Sequence, residues 1–193
     1  MTKTEKEQAN KELKKIIDEF QDTYNSMRTA SELKYKRALP EGSAFYKKDG
    51  FYSDEDRREF ETVCYNLRQK AHAIADKAAA DILELTMAAP SAEAVNVVNL
   101  INSRQNVSAE EIEQLMNKYG AECPMVYKSL YDKAVSLGYN DFMPHETERA
   151  AENVKTLNRL IDKTFTTEDA ERNLTVAAAA FSGTVDDAFP AEE

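Results

Sequence analysis

Apolar residues recur at steps of three and four along most of this chain. Ala9, Leu13, Ile16, Ile17, Phe20, Tyr24 and Met27 form the first series. That spacing lines one side of an α-helix from about Thr4 to Leu39, with Lys11, Lys14, Lys15, Asp18 and Glu19 off the stripe. The stripe fades at Lys34 and Lys36, and Pro40 ends the helix, because the residue before a proline is pushed out of helical conformation. A second series runs Phe60, Val63, Cys64, Leu67, Ala71, Ile74, Ala78, Ile82, Leu85 and Ala89. It predicts a helix that starts after Ser53, with Asp56 three residues on as in a capping box. Helices of this size span roughly 50 Å each at about 1.5 Å per residue. Isolated helices are marginal in water, so the two are expected to pack as a long antiparallel hairpin over 1–89.

Residues 40–53 form the connection. Asp49-Gly50 is a strong turn signal, and a Phe-Tyr pair stands on each side of it. A small β-hairpin at 45–52 is the one place where the pattern allows strand.

From Pro90 the helices become short and well punctuated. Ser91 opens one bearing Val95, Val98 and Ile101. Ser108-Ala109-Glu110-Glu111 is a capping box, with Val107 and Ile112 placed as a hydrophobic staple, and Gly120 is the expected stop. Pro124 suits the first turn of the next helix, which carries Tyr127, Leu130, Tyr131, Ala134 and Leu137 and stops at Gly138. Ala150, Val154, Leu157, Ile161 and Phe165 make a narrow seam of the kind seen on bundle and coiled-coil helices. A last helix begins at Thr166 or Thr167, carries Ala170, Leu174, Ala177 and Phe181, and is expected to end at Gly183. The pattern therefore describes an all-α protein: a helical hairpin over 1–89, a compact bundle of short helices over 90–183, and a flexible acidic tail over 184–193.

Composition agrees with helices that keep one wet face. Of 193 residues, 42% are hydrophobic and 31% charged, and only five Gly and five Pro are present, too few for a turn-rich β protein. Cys64 and Cys123 cannot make a disulfide framework, and no signal peptide or membrane span is apparent, so the reading is a cytoplasmic chain that does not enter a membrane. The net charge of −10 is unevenly placed: residues 1–48 carry +3 and residues 49–193 carry −13. An acidic bulk repels phosphate backbones, which argues against direct nucleic-acid binding and leaves the N-terminal part as the region suited to an acidic partner.

Chemical signatures are sparse. His72 and Asp76 lie four apart on one helix face, half of a metal site at most, and a surface or interhelical pair is the simpler account. His145 opens a helix. Cys64 falls on an apolar stripe, and Cys123 precedes Pro124 at a helix start with no identifiable base beside it. No phosphate loop, dinucleotide glycine pattern, zinc-protease motif or calcium loop occurs, and the sequence implies no cofactor and no metal. The most informative segment is the aromatic loop. Phe45, Tyr46, Lys47, Lys48, Phe51 and Tyr52 combine rings with cations, as protein interfaces do. The rings either fold back over the ends of the long helices or meet a partner.

These features point to a non-enzymatic helical interaction protein, an assembly, structural or regulatory subunit that binds a protein partner or itself. Its texture suits a bacterial or bacteriophage accessory protein. Two other readings stay open: an acidic inhibitor that imitates nucleic acid, and an enzyme with a site between helices drawing on His72, Asp76 and Cys123.

Overall fold

The computed structural model describes residues 3–121 and 123–189. Among these, all regular structure is helical: α1 (Lys3–Ala38), α2 (Asp54–Thr86), α3 (Ala92–Ser103), α4 (Ala109–Leu115), α5 (Pro124–Ser136), α6 (Glu146–Thr164) and α7 (Thr167–Ala188). The caps follow the sequence signals. Ser53, Ser91, Ser108 and Thr166 each accept a hydrogen bond at the side-chain oxygen from the backbone N–H three residues on, which satisfies a donor that the helix itself leaves unpaired.

Two compact units result, one within residues 1–77 and 153–193, the other over 78–152. This differs from the division at 89–90 that the change in helix style suggests. The first unit is a four-helix bundle. Contacts between α1 and α2 run in opposite directions along the two helices: Glu5 meets Lys77, Glu19 meets Lys70 and Asp56 meets Lys34. The expected antiparallel hairpin is thus present, but it does not stand alone. Asn158 and Asp162 of α6 reach His72, and the Phe165 carbonyl accepts from Arg68 Nη2 at 2.7 Å, so α6 runs against α2. Helix α7 runs against α1, with Asp186 beside Asn10 and Lys14, and its first turn meets α2, with Glu168 and Glu171 beside Arg57.

The core explains the arrangement. Leu13, Ile17, Phe20, Phe60, Leu67, Leu157, Ile161, Phe165 and Phe181 are fully buried. Phe20 links the helices, stacking on Phe60 at 5.6 Å and meeting Phe165 edge-on at 5.3 Å, and Phe165 meets Phe181 edge-on at 5.3 Å. Buried aromatic pairs of this geometry add about 0.5–1.5 kcal/mol each beyond their area. Ala71 and Ala75 are also fully buried.

Helix α7 does not stop at Gly183. It continues to Ala188 because Val185, Ala188 and Phe189 extend its apolar side into the core. Burying a Val and a Phe contributes about 1.5–3 kcal/mol each, more than the roughly 1 kcal/mol that a mid-helix glycine costs. Residues 184–189 are therefore packed rather than loose: Asn10 Nδ2 donates to the Phe189 carbonyl at 2.9 Å and Lys14 pairs with Asp186 at 2.7 Å. The remainder of the expected tail, 190–193, lies outside the described residues.

The second unit has its own core, in which Ile101, Val107, Ile112, Met116, Val126 and Leu130 pack around α5. Gly120 does not end α4 directly. A π-turn over Met116–Gly120 follows, and Tyr127 packs against Gly120 where a Cβ would lie at 2.9 Å. Among the described residues, no helix is long and apolar enough to cross a membrane.

Candidate functional site at the hairpin tip

The connection over 39–53 holds no strand, contrary to the small β-hairpin that its turn signal allows. Its backbone bonds to α1 and to its own Tyr52 hydroxyl instead. The Tyr52 N–H donates to Ser31 Oγ at 2.9 Å, Arg28 Nη2 donates to the Lys48 carbonyl at 3.4 Å, and the Lys48 N–H donates to Tyr52 Oη at 2.8 Å. A turn at Pro40–Ser43, closed at 3.1 Å with Gly42 at φ +82°, starts the return.

Of the six residues that the sequence singles out, the structure separates the roles. Phe51 is core, 2% exposed, with its ring against Tyr24 and Phe60 at 5.6 and 5.4 Å. It cannot be a contact residue. Phe45 and Tyr52 are half-buried and stack on each other at 5.8 Å. Tyr35 joins them from α1, 5.2 Å from Tyr52 and 6.4 Å from Phe45. Tyr46 projects into solvent at 79% exposure, and Lys47 and Lys48 are exposed as well. One ring thus folds into the bundle, and the others build a shelf on its outside.

Charge concentrates at the same place. Residues 28–52 carry six cations against three carboxylates, +3, on a chain of −10. Lys36 lies over the Phe45 ring at 4.3 Å and pairs with Glu32. The Glu32 carboxyl is held below its ordinary range, first by the hydrogen bond from Lys36 and then by the charges of Lys36, Lys47 and Arg28. Lys34 is committed elsewhere, bonding the buried Asp56 at 2.7 Å. Among the described residues, no ion pair within 4 Å engages Arg37, Lys47 or Lys48. Tyr35, Leu33 and Arg37 escape a reading by helical stripe. Their trace in the sequence is the fading of that stripe, where Lys34-Tyr35-Lys36-Arg37 places an aromatic among cations.

The other candidates are divided between the two units. His72 sits on the α2–α6 seam, with Nδ1 2.8 Å from Asn158 Oδ1 and Nε2 2.9 Å from Asp162 Oδ1. Asp76 accepts a long bond, 3.5 Å, from Asn158 Nδ2. Cys123 belongs to the other unit, buried with its Sγ 3.5 Å from the Ala88 carbonyl. Burial pushes the Cys64 thiol up to about 11, which leaves it protonated and inert at neutral pH. His145 Nδ1 accepts from the Thr147 N–H at 3.2 Å and so caps the start of α6. No three His, Cys, Asp or Glu side chains among the described residues are grouped to hold a metal ion. An open groove of roughly 630 Å³ lies where α6 turns into α7, lined by Leu160, Lys163, Thr164 and Val176 among others. Thr166 in its wall is already used as the α7 cap.

Comparison with known proteins is silent. No protein-family model matches the chain, and neither a curated protein nor a solved structure is similar to it.

Proposed function

We propose that this chain is a non-enzymatic, cytoplasmic interaction protein, an assembly or regulatory subunit that binds a protein partner through the tip of its α1–α2 hairpin. The carrying observation is the aromatic shelf of Tyr35, Phe45, Tyr46 and Tyr52, left partly or wholly in solvent and framed by cations on a rigid helical stem. Aromatic rings and arginine dominate the energetics of protein interfaces, and the rings bury much area while losing little conformational freedom. The backbone bonds to Ser31 and Arg28 hold this loop in one shape before any partner arrives, which lowers the ordering cost of binding.

The test is recovery of partners from the native host with tagged protein, identified by mass spectrometry, for the wild type and for Tyr35→Ala/Tyr46→Ala. Both side chains are exposed, so the variant keeps the helical circular dichroism of the parent. Loss of a partner from the variant alone is the expected result. Equal recovery by a folded variant removes the tip from the interaction.

A further inference from the structure

We infer that the segment docking on the hairpin tip is acidic, an extended or helical stretch of a partner protein that brings carboxylates to Arg37, Lys47 and Lys48 and an apolar side chain to the Tyr35–Phe45–Tyr52 shelf. The inference rests on the tip being the binding surface, and it names the chemistry of what binds there. Charge complementarity carries it. Residues 28–52 carry +3 while the rest of the chain carries −13; Asp54, Glu55 and Asp56 follow directly, and Asp56 answers Lys34, which leaves Arg37, Lys47 and Lys48 as the cations beside the shelf. Some cations of this protein's first unit are answered by its own carboxylates, as Lys14 by Asp186, Lys34 by Asp56 and Lys70 by Glu19. At the tip, Arg37, Lys47 and Lys48 meet no such partner within 4 Å among the described residues.

Glu32 shows what a carboxylate experiences at this surface. It pairs with Lys36, which also covers the Phe45 ring, and it lies in the field of Lys47 and Arg28. A visiting carboxylate enters the same field and competes with Glu32 for Lys36. Glu32 therefore acts as a built-in competitor that lowers the affinity of the tip for acidic segments. Single-stranded nucleic acid also combines negative charge with flat rings, but the −13 of the surrounding chain repels a continuous phosphate backbone over any length beyond the tip, whereas a short acidic segment need touch only the tip.

Fluorescence anisotropy with the full chain tests this, using a labelled twelve-residue peptide of three Glu-Asp-Phe-Glu repeats. The controls are its amide counterpart, with Gln and Asn in place of Glu and Asp, and a twelve-nucleotide oligo-dT. The acidic peptide is expected to bind at low salt and to weaken at least about fivefold as screening shortens the reach of the tip charges. Arg37→Gln/Lys47→Gln/Lys48→Gln is expected to lose about tenfold, and Glu32→Gln to gain about two- to threefold. Equal binding of the amide peptide, an unaffected triple variant, tighter binding of oligo-dT, or no binding of the acidic peptide overturns the inference. So does self-association in light scattering that the triple variant abolishes, which would identify the occupant as a second copy. If partner recovery still depends on Tyr35 and Tyr46 while these results fail, the tip remains the binding surface and only the acidic chemistry falls.

Discussion

Asp56 ties the tip to the bundle, and its replacement by asparagine measures how firmly. The carboxylate is buried in the first turn of α2 and bonds Lys34 of α1 at 2.7 Å. Lys34 first, then the hydroxyls of Ser31 and Ser53, hold its pKa down from 3.8 to about 2 against the opposing effect of burial. Ser31 in turn accepts the Tyr52 N–H, so one carboxylate anchors α1, α2 and the aromatic loop together. A drop from 3.8 to about 2 corresponds to roughly 2.5 kcal/mol of folding free energy at neutral pH. Because the Lys34 side chain is 69% exposed and screened by water, the expected cost of Asp56→Asn is smaller, about 1–2 kcal/mol. The folded pKa lies below the unfolded one, so this contribution is present above pH 3.8 and fades as pH falls toward 2, with about half gone by pH 3. Urea denaturation of both proteins, followed by circular dichroism at pH 7 and pH 3, reads the difference directly. A gap that is the same at both pH values, or absent at pH 7, refutes this account of Asp56.

Phe51→Ala and Tyr46→Ala separate the two faces of the aromatic loop: the first is expected to cost about 3–5 kcal/mol in urea denaturation because it empties core, the second less than about 0.5 kcal/mol. His72 provides a pH response of the opposite sign. Burial lowers its pKa, but hydrogen bonding to Asp162 and Asn158 and the charges of Asp162 and Asp76 outweigh that and raise it above 6.5. Both ring nitrogens face oxygen acceptors, an arrangement that only the doubly protonated ring satisfies. Its stabilisation is therefore full below pH 6.5 and lost as pH rises through the folded pKa. His72→Gln should remove this pH dependence, at a cost below about 1 kcal/mol at pH 6, in thermal unfolding scanned from pH 6 to 8.

Helix positions were legible wherever an apolar stripe and a capping signal agreed, as at Ser53, Ser91, Ser108 and Thr166. Local chemistry is enough there. It is not enough at Gly183, where burial of Val185 and Phe189 outweighs a glycine, or at Asp49-Gly50, where Ser31 and Arg28 take the backbone bonds that a second strand would need. The bundle's true membership was hidden for the same reason. Nothing near Phe20 in sequence announces that Phe165 and Phe181 complete its surroundings. Half of the tip was readable as rings among lysines. Tyr35 was not, because it joins the loop only through folding.

The order of elements has a consequence for biosynthesis. The first two bundle helices are made long before their partners, since 75 residues of the other unit intervene before residue 153. Until α6 and α7 leave the ribosome, Phe20, Phe60 and Leu67 have a flank with nothing against it, and a growing chain in that condition is a natural client for holdase chaperones. A translation pause within the inserted unit would prolong that exposure, and a premature stop there would release a sticky half-bundle.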